Sequence, residues 1–460
     1  MREQFSKIGF ILAMAGSAVG LGNAWKFPTM VGTNGGSIFI FLYLVLTFLV
    51  AFMVFLGELS IGKITQKDAV NAFSDLAKSN KKAWGFAGFF MMGAILIVCF
   101  YSVVIGWILK YIYSSFFALP NSVSEAGDLF GNLLTKDLLS QIICFSIVFF
   151  MIFWVVSKGI KSGIEKMNVW MMPSLFILLI LMLLYSFTFD GFVKAFSFLF
   201  KPDFSVLFVE DKLNIKLILD ALGLSFFSLS MGVCVVLTYA ASLPENINVI
   251  KSTLSIIFIN ILVGIMMGLI VFTFVFEYGA NASEQGPGLI FVSLMSLFSN
   301  LGIIGNILAI AFFIALLFAG LTSAVSMIEP FAFYLINKFG ISRKLALIYI
   351  GIFVYIMGIF CILGFNNEYS SIFTFFDKSI FDILDYLTSN ILMPLSAIIT
   401  CIFVGFFVEV NKLKNLFIPY MGEFGFKIWL LFIRFICPIV ILIIMLENLG
   451  LTKYLKSMFF

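Results

Sequence analysis

Roughly eleven stretches of this chain are each long and apolar enough to cross a lipid bilayer, and this restricts its fold more than any other feature. They cover residues 8–32, 38–62, 84–117, 138–157, 167–189, 217–241, 253–277, 304–336, 344–364, 384–408 and 427–447. A spanning helix needs about 20 mostly apolar residues, whereas a barrel strand needs about 10. Lipid offers no partner to a backbone N–H or C=O, so only helices and closed barrels span it. At these lengths the expected fold is an all-α membrane protein. Of 460 residues, 62% are hydrophobic and 11% charged, so residues 1–460 leave no length for a separate soluble domain. The first stretch runs on past its short basic start without a small-residue cleavage site and is expected to stay in the mature chain.

The placement of charge orients the bundle. With the N-terminus in the cytoplasm, Lys63, Lys67, Lys78, Lys81 and Lys82, then Lys158, Lys161 and Lys166, then Lys338, Arg343 and Lys344 share that side, as the positive-inside rule requires. The opposite loops hold Glu125, Asp128, Asp190, Asp203, Glu210, Asp211, Glu277 and Glu284, accompanied by some lysines in 194–216. Eleven spans then put the C-terminus outside, and the expected location is the inner membrane.

Several function classes lack the residues they need. The chain has no histidine, and its six cysteines, Cys99, Cys144, Cys234, Cys361, Cys401 and Cys437, stand singly inside apolar stretches. That spacing suits packing and offers neither a metal site nor a disulfide framework. No acid–base cluster supports a membrane enzyme, and no basic patch supports nucleic-acid binding.

Two stretches are interrupted. The first reads Gly16-Ser17-Ala18-Val19-Gly20-Leu21-Gly22-Asn23 near its middle, and the sixth reads Ser225-Phe226-Phe227-Ser228-Leu229-Ser230-Met231-Gly232. Small residues at GxxxG spacing also serve close helix packing. Here each patch lies in a stretch that opens a run of five, which is the pattern of an inverted-repeat carrier with its site at the midplane. Unwound backbone at membrane depth survives only where it is buried in protein or lines a cavity. Half-helix N-termini present N–H groups to an anion and C-termini present carbonyls to a cation. An amino acid carries one charge of each sign.

The run from Arg2-Glu3-Gln4-Phe5 through Gly16 to Asn23-Ala24-Trp25-Lys26-Phe27-Pro28 resembles the first-helix signature of the neurotransmitter:sodium symporter family. Ala221-Leu222-Gly223 with Phe226-Phe227-Ser228-Leu229-Ser230, Phe318-Ala319-Gly320-Leu321-Thr322-Ser323, and the lid-like Gly286-Pro287-Gly288-Leu289-Ile290-Phe291-Val292 extend the resemblance over residues 2–447. It implies one transporter domain of the leucine-transporter-type fold, with inverted repeats at about 8–189 and 217–408 and an extra helix at 427–447. Eleven spans match a bacterial subset. The implied activity is sodium-coupled symport of an α-amino acid by alternating access.

The resemblance also implies two sodium sites. The first would use the Ala18 carbonyl, Asn23, Ser228, Asn260 and the substrate carboxylate; the second, the carbonyls of Gly16, Val19 and Ala319 with the hydroxyls of Thr322 and Ser323. All these protein ligands are neutral oxygens, suited to an ion that must be released again. A sodium that shares the substrate's carboxylate couples the two affinities reciprocally. The carboxylate would meet the N–H groups of Leu21 and Gly22 and the Tyr101 hydroxyl. The ammonium would meet carbonyls of Ala18, Phe227 and Ser228 and the Ser230 hydroxyl. Gly20 stands where carriers of decarboxylated monoamines have aspartate, which favours an intact amino acid. Ile97, Tyr101, Phe227, Val233, Ser323 and Met327 would line an uncharged side-chain pocket, fitting a hydrophobic or aromatic substrate. Val233 in place of a phenylalanine suggests a roomier pocket.

These residues also have plainer roles. A tyrosine in an apolar helix commonly packs with its hydroxyl satisfied, and Thr322 or Ser323 can bond its own helix. Asn23 and Asn260 resist that reading, since buried amides in lipid are costly unless paired. Departures from the family pattern fall at the gates. The outer pair is Lys26 and Asp385, with a lysine point charge in place of the arginine fork. Arg2 is present at the inner gate, but its usual acidic partner is Asn337. For chloride, Tyr43, Ser228 and Asn260 match dependent members, while Leu224 replaces a glutamine and Gly264 brings no carboxylate; dependence stays open. A same-fold carrier of another small solute and a non-transporting amino-acid sensor remain as other readings.

Overall fold

The computed structural model describes residues 3–209, 212–245, 247–279 and 288–451. Arg2 and the Gly286-Pro287 part of the lid lie outside them. Among the described residues nine helices are long and apolar enough to span: Ser37–Thr65, Lys81–Ser114, Leu138–Ser157, Ile160–Ser186, Val249–Glu277, Ile303–Phe339, Arg343–Leu363, Ile380–Phe407 and Val410–Asn448. Lys7–Ala18 and Gly22–Thr33, bent by 63°, form the first span. Ile215–Ser228 and Val235–Ala240, separated by residues 229–234, form the sixth. The last helix begins earlier than its apolar stretch, because an amphipathic segment joins it across a kink at Gly422 (φ 71°). Two short antiparallel ribbons, Phe208–Val209 with Lys212–Leu213 and Thr374–Phe375 with Lys378–Ser379, close loops outside the bundle.

The first span is central and packs against spans 5, 7 and 8, while both halves of span 6 pack on span 2. Its break follows from the local sequence. Val19 leaves helical geometry (ψ 80°), and the Gly20 N–H turns back to the Ala18 carbonyl at 3.0 Å. In span 6 three residues take positive φ: Ser230 (52°), Gly232 (81°) and Cys234 (60°). Such angles are uncommon for residues with a Cβ and persist only where the surroundings enforce them. Part of that enforcement comes from Glu58, buried in span 2, whose Oε1 accepts the Gly232 N–H at 2.7 Å. A Cβ on Gly232 would also strike the Met393 carbonyl.

Candidate substrate and ion site

The two breaks face each other. Ser17, at the end of the first half of span 1, turns its carbonyl inward, where it accepts the Ser230 hydroxyl at 2.9 Å and the Ser323 hydroxyl at 3.1 Å. The Ser17 hydroxyl meets that of Ser326 at 2.7 Å. Spans 1, 6 and 8 are thus joined through one residue in the last turn of a half-helix. Ser17 was not among the residues expected to bind anything, although its place in the glycine-rich run was the available signal.

Ala18, Gly20, Gly22, Ile97, Tyr101, Phe227, Ser228, Ser230, Val233, Ser323 and Met327 line one cavity together with Met393. Leu21 contributes through its backbone, donating its N–H to the Tyr101 hydroxyl at 2.7 Å. Glycine is needed at two of these positions. A Cβ on Gly20 would lie 2.6 Å from the Tyr101 hydroxyl oxygen, and one on Gly22 would lie 2.7 Å from the Phe227 ring. The roomier pocket suggested by Val233 is not found in this conformation. The cavity is about 30 Å³, about the share of one water molecule. Tyr101, Phe227, Met327 and Met393 close in on it, and Val233 is buried with its Cγ1 3.3 Å from where a Cβ on Gly93 would lie. Met393 is a pocket residue that the motifs did not reveal, because its span carries no recognisable signature there.

The first group of expected sodium ligands converges. Asn23 Nδ2 donates to the Asn260 side-chain and backbone oxygens, both at 2.8 Å. Asn260 Nδ2 donates to the Ser228 hydroxyl at 3.1 Å and the Tyr43 hydroxyl at 3.3 Å. In this orientation the Asn260 amide oxygen faces the Ala18 carbonyl at 3.2 Å and the Ser228 carbonyl at 3.1 Å; rotating the amide would turn its nitrogen toward both. Oxygen facing oxygen is repulsive unless a cation lies among them, so the site suits either a cation or the rotated amide. Leu224 is buried and Gly264 packs against the Phe27 ring, 3.3 Å from its would-be Cβ. Tyr43, Ser228 and Asn260 therefore meet without a further amide or carboxylate from those two positions.

In the second group, spans 1 and 8 are in contact. Thr322 Cβ lies 3.0 Å from where a Cβ on Gly16 would be. The Thr322 hydroxyl donates to the carbonyls of Phe318 at 2.9 Å and Ala319 at 3.1 Å in its own helix, which leaves its oxygen lone pairs available. Val19, which caps the first half of span 1, is buried.

The gates differ from the simple pairing. Lys26 Nζ sits 3.7 Å above the Phe227 ring, while the Asp385 carboxylate accepts the Ser389 hydroxyl at 2.9 Å. The two charges are not in ion-pair contact, because the aromatic face lies within reach of the lysine and offers cation–π attraction. A vestibule of about 170 Å³ lies beside them, lined by Lys26, Asp220, Phe227, Asn390, Pro394 and Asn448 among others. On the opposite side Asn337 donates to Asp68 at 3.0 Å. Buried Glu329 pairs with Arg343, whose Nε donates to the Val156 carbonyl at 2.7 Å. Phe5 packs on Tyr239 with ring centres 5.1 Å apart. Carboxylates thus do serve this end of the bundle, from loop 2–3 and from the last third of span 8, where the motif gave no hint of them.

The chain matches the Sodium:neurotransmitter symporter family over residues 2–127 and 122–458. It is 36% identical over 462 residues, 98% of each chain, to the uncharacterized sodium-dependent transporter YhdH of Bacillus subtilis. An uncharacterized sodium-dependent transporter of Haemophilus influenzae is 32% identical, over 96% of this chain and 97% of its own. The crystal structure of MhsT in complex with L-phenylalanine superimposes with a TM-score of 0.86 at 34% identity, covering 97% of this chain and 100% of MhsT. With its two spans broken at the same depth and this similarity running nearly end to end, the chain belongs to the sodium:neurotransmitter symporter family, as a sodium-dependent integral membrane transporter of the leucine-transporter-type fold.

Proposed function

We propose that this transporter carries an α-amino acid with a hydrophobic or aromatic side chain into the cell, driven by sodium bound at two sites. The observation that carries the reading is the contact between the Leu21 N–H and the Tyr101 hydroxyl, 2.7 Å apart at the break of span 1. Half-helix amides beside a phenol form a ready anion site, and Gly20 leaves it uncharged. A substrate carboxylate would take over the Leu21 N–H and keep the Tyr101 hydroxyl as a second donor. Its ammonium would face the carbonyls of Ala18, Phe227 and Ser228 and the Ser230 hydroxyl.

The first sodium would lie among Ala18, Asn23, Ser228 and Asn260, sharing the carboxylate, so that each ligand strengthens the other. The second would lie among Gly16, Val19, Ala319, Thr322 and Ser323. The uncharged lining and the L-phenylalanine bound to MhsT support an apolar side chain. Tyr101, Phe227 and the methionines would have to move outward to admit it, and Met327 and Met393 are unbranched and re-pack readily. We read residues 1–460 as one transporter domain in the inner membrane, N-terminus inside and C-terminus outside, with Lys26, Asp385 and Arg2 at its gates. Uptake of labelled amino acids into proteoliposomes, with and without an inward sodium gradient, tests the reading. Gradient-driven uptake of tyrosine, tryptophan, phenylalanine, methionine or leucine is expected, and binding without uptake would identify a sensor.

A further inference from the structure

Asn168, one turn beyond the π-helical start of span 5 (Ile160–Glu165), is fully buried. Its Nδ2 donates to the Ile164 carbonyl of its own helix at 2.8 Å. Its Oδ1 is buried with no hydrogen-bond partner among the described residues. An amide oxygen left unpaired at membrane depth carries its full desolvation penalty, so this atom calls for a partner that is neither its own backbone nor a neighbouring side chain.

What surrounds the oxygen identifies the partner's chemistry. Asn168 Oδ1 occupies the place that a Cβ on Gly16 would need, and Thr322 Cβ lies 3.0 Å from that same place. The oxygen is therefore set into the corner where spans 1 and 8 meet, against two of the five residues read above as the second sodium site. Glu165, three residues earlier, is already engaged: its carboxylate accepts the Ser6 N–H at 3.1 Å and the Ser6 hydroxyl at 2.5 Å. Asn168 is thus the neutral oxygen of this helix face that remains available. A neutral amide oxygen beside backbone carbonyls and a hydroxyl is the donor type a hard monovalent cation takes where helices are unwound.

We propose that the Asn168 side-chain oxygen serves the sodium of the second site as a further ligand and sets its affinity. The inference rests on the reading of that site given above. It also gives Gly16 a second task, since any side chain there would push Asn168 away.

The test reads ion binding apart from transport. Purified full-length protein in detergent is titrated with NaCl against choline chloride at constant ionic strength, and the sodium concentration for half-maximal thermal stabilisation is recorded. Asn168→Leu should raise that concentration by about tenfold or more, the scale of one lost charge-assisted contact. Asn168→Asp keeps the oxygen and adds charge, and should lower it severalfold; this variant decides the matter alone if the leucine variant does not fold. A wild-type titration for both variants, alongside loss of the sodium effect in Thr322→Ala with Ser323→Ala, would overturn the role of Asn168, leave the site standing and mean that its oxygen bonds only water. A wild-type titration for the double variant would instead overturn the second site, and the inference with it.

Discussion

The N–H of Leu21 points at the hydroxyl oxygen of Tyr101, 2.7 Å away, across the break that divides span 1. The half-helix dipole, the Leu21 amide and the phenol all act on this one spot. Removing the hydroxyl tests it directly. Tyr101→Phe should weaken substrate binding by roughly 1.5–3 kcal/mol, the range for a hydrogen bond to a charged group, while sodium-dependent stabilisation without substrate persists. Equilibrium binding of a labelled amino acid measures the first quantity and a melting curve the second. Unchanged substrate affinity would move the carboxylate elsewhere.

Gly20 is opposed by both space and charge. A Cβ there would lie 2.6 Å from the Tyr101 oxygen and 3.1 Å from the Ser323 oxygen. Gly20→Ala should therefore already weaken amino-acid binding. Gly20→Asp should abolish it, adding like-charge repulsion of the carboxylate. Comparing the two affinities separates the steric part from the electrostatic part, and wild-type binding by the aspartate variant would refute the placement.

Thr322→Ala with Ser323→Ala should abolish sodium-driven uptake in proteoliposomes while protein yield stays near that of the parent chain. Each hydroxyl spends its proton on a carbonyl, Ala319 and Phe318 for Thr322 and Ser17 for Ser323, so losing them removes oxygen donors without opening a large cavity. Full gradient-driven transport by the double variant would eliminate the second site.

Val233 is buried against the small residue Gly93. Val233→Phe should weaken binding of aromatic amino acids by roughly 1–3 kcal/mol, the usual scale of overpacking, and spare small ones. Competition against uptake of a labelled amino acid reads the order of preference. An equal change for all substrates, or a parent protein that prefers glycine and alanine, would place the side chain in another pocket.

Gly232→Ala should lower the melting temperature. Its φ of 81° costs a residue with a Cβ about 1–2 kcal/mol, and the added carbon would press on the Met393 carbonyl. The same change disturbs the Glu58 bond that holds the unwound segment, so substrate affinity should fall with stability. A variant with parental melting and binding would show that the segment tolerates rearrangement.

Much of the site was legible because it is written in runs. The glycine-rich stretch from Gly16 to Asn23 and the hydroxyl-rich stretch from Ser225 to Ser230 are local features, and both spans break where those residues lie. The contact Lys26 makes was not legible for a related reason: residue type gave two opposite charges, Lys26 and Asp385, near one gate, while the Phe227 face that Lys26 rests on comes from a third segment.

By itself the sequence marked where the apolar helices run, the two breaks and the family, since lipid requires every segment to satisfy its own backbone and so leaves its mark residue by residue. Only the tertiary structure decided which oxygens meet. Glu58 and Gly232, Asn23 and Asn260, Asn168 and Gly16, and Ser17 with both Ser230 and Ser323 are brought together from separate spans. In a bundle whose exterior and interior are both apolar, hydropathy does not mark the inward face. The partners of the few buried polar atoms are fixed by how helices cross, which no single segment encodes.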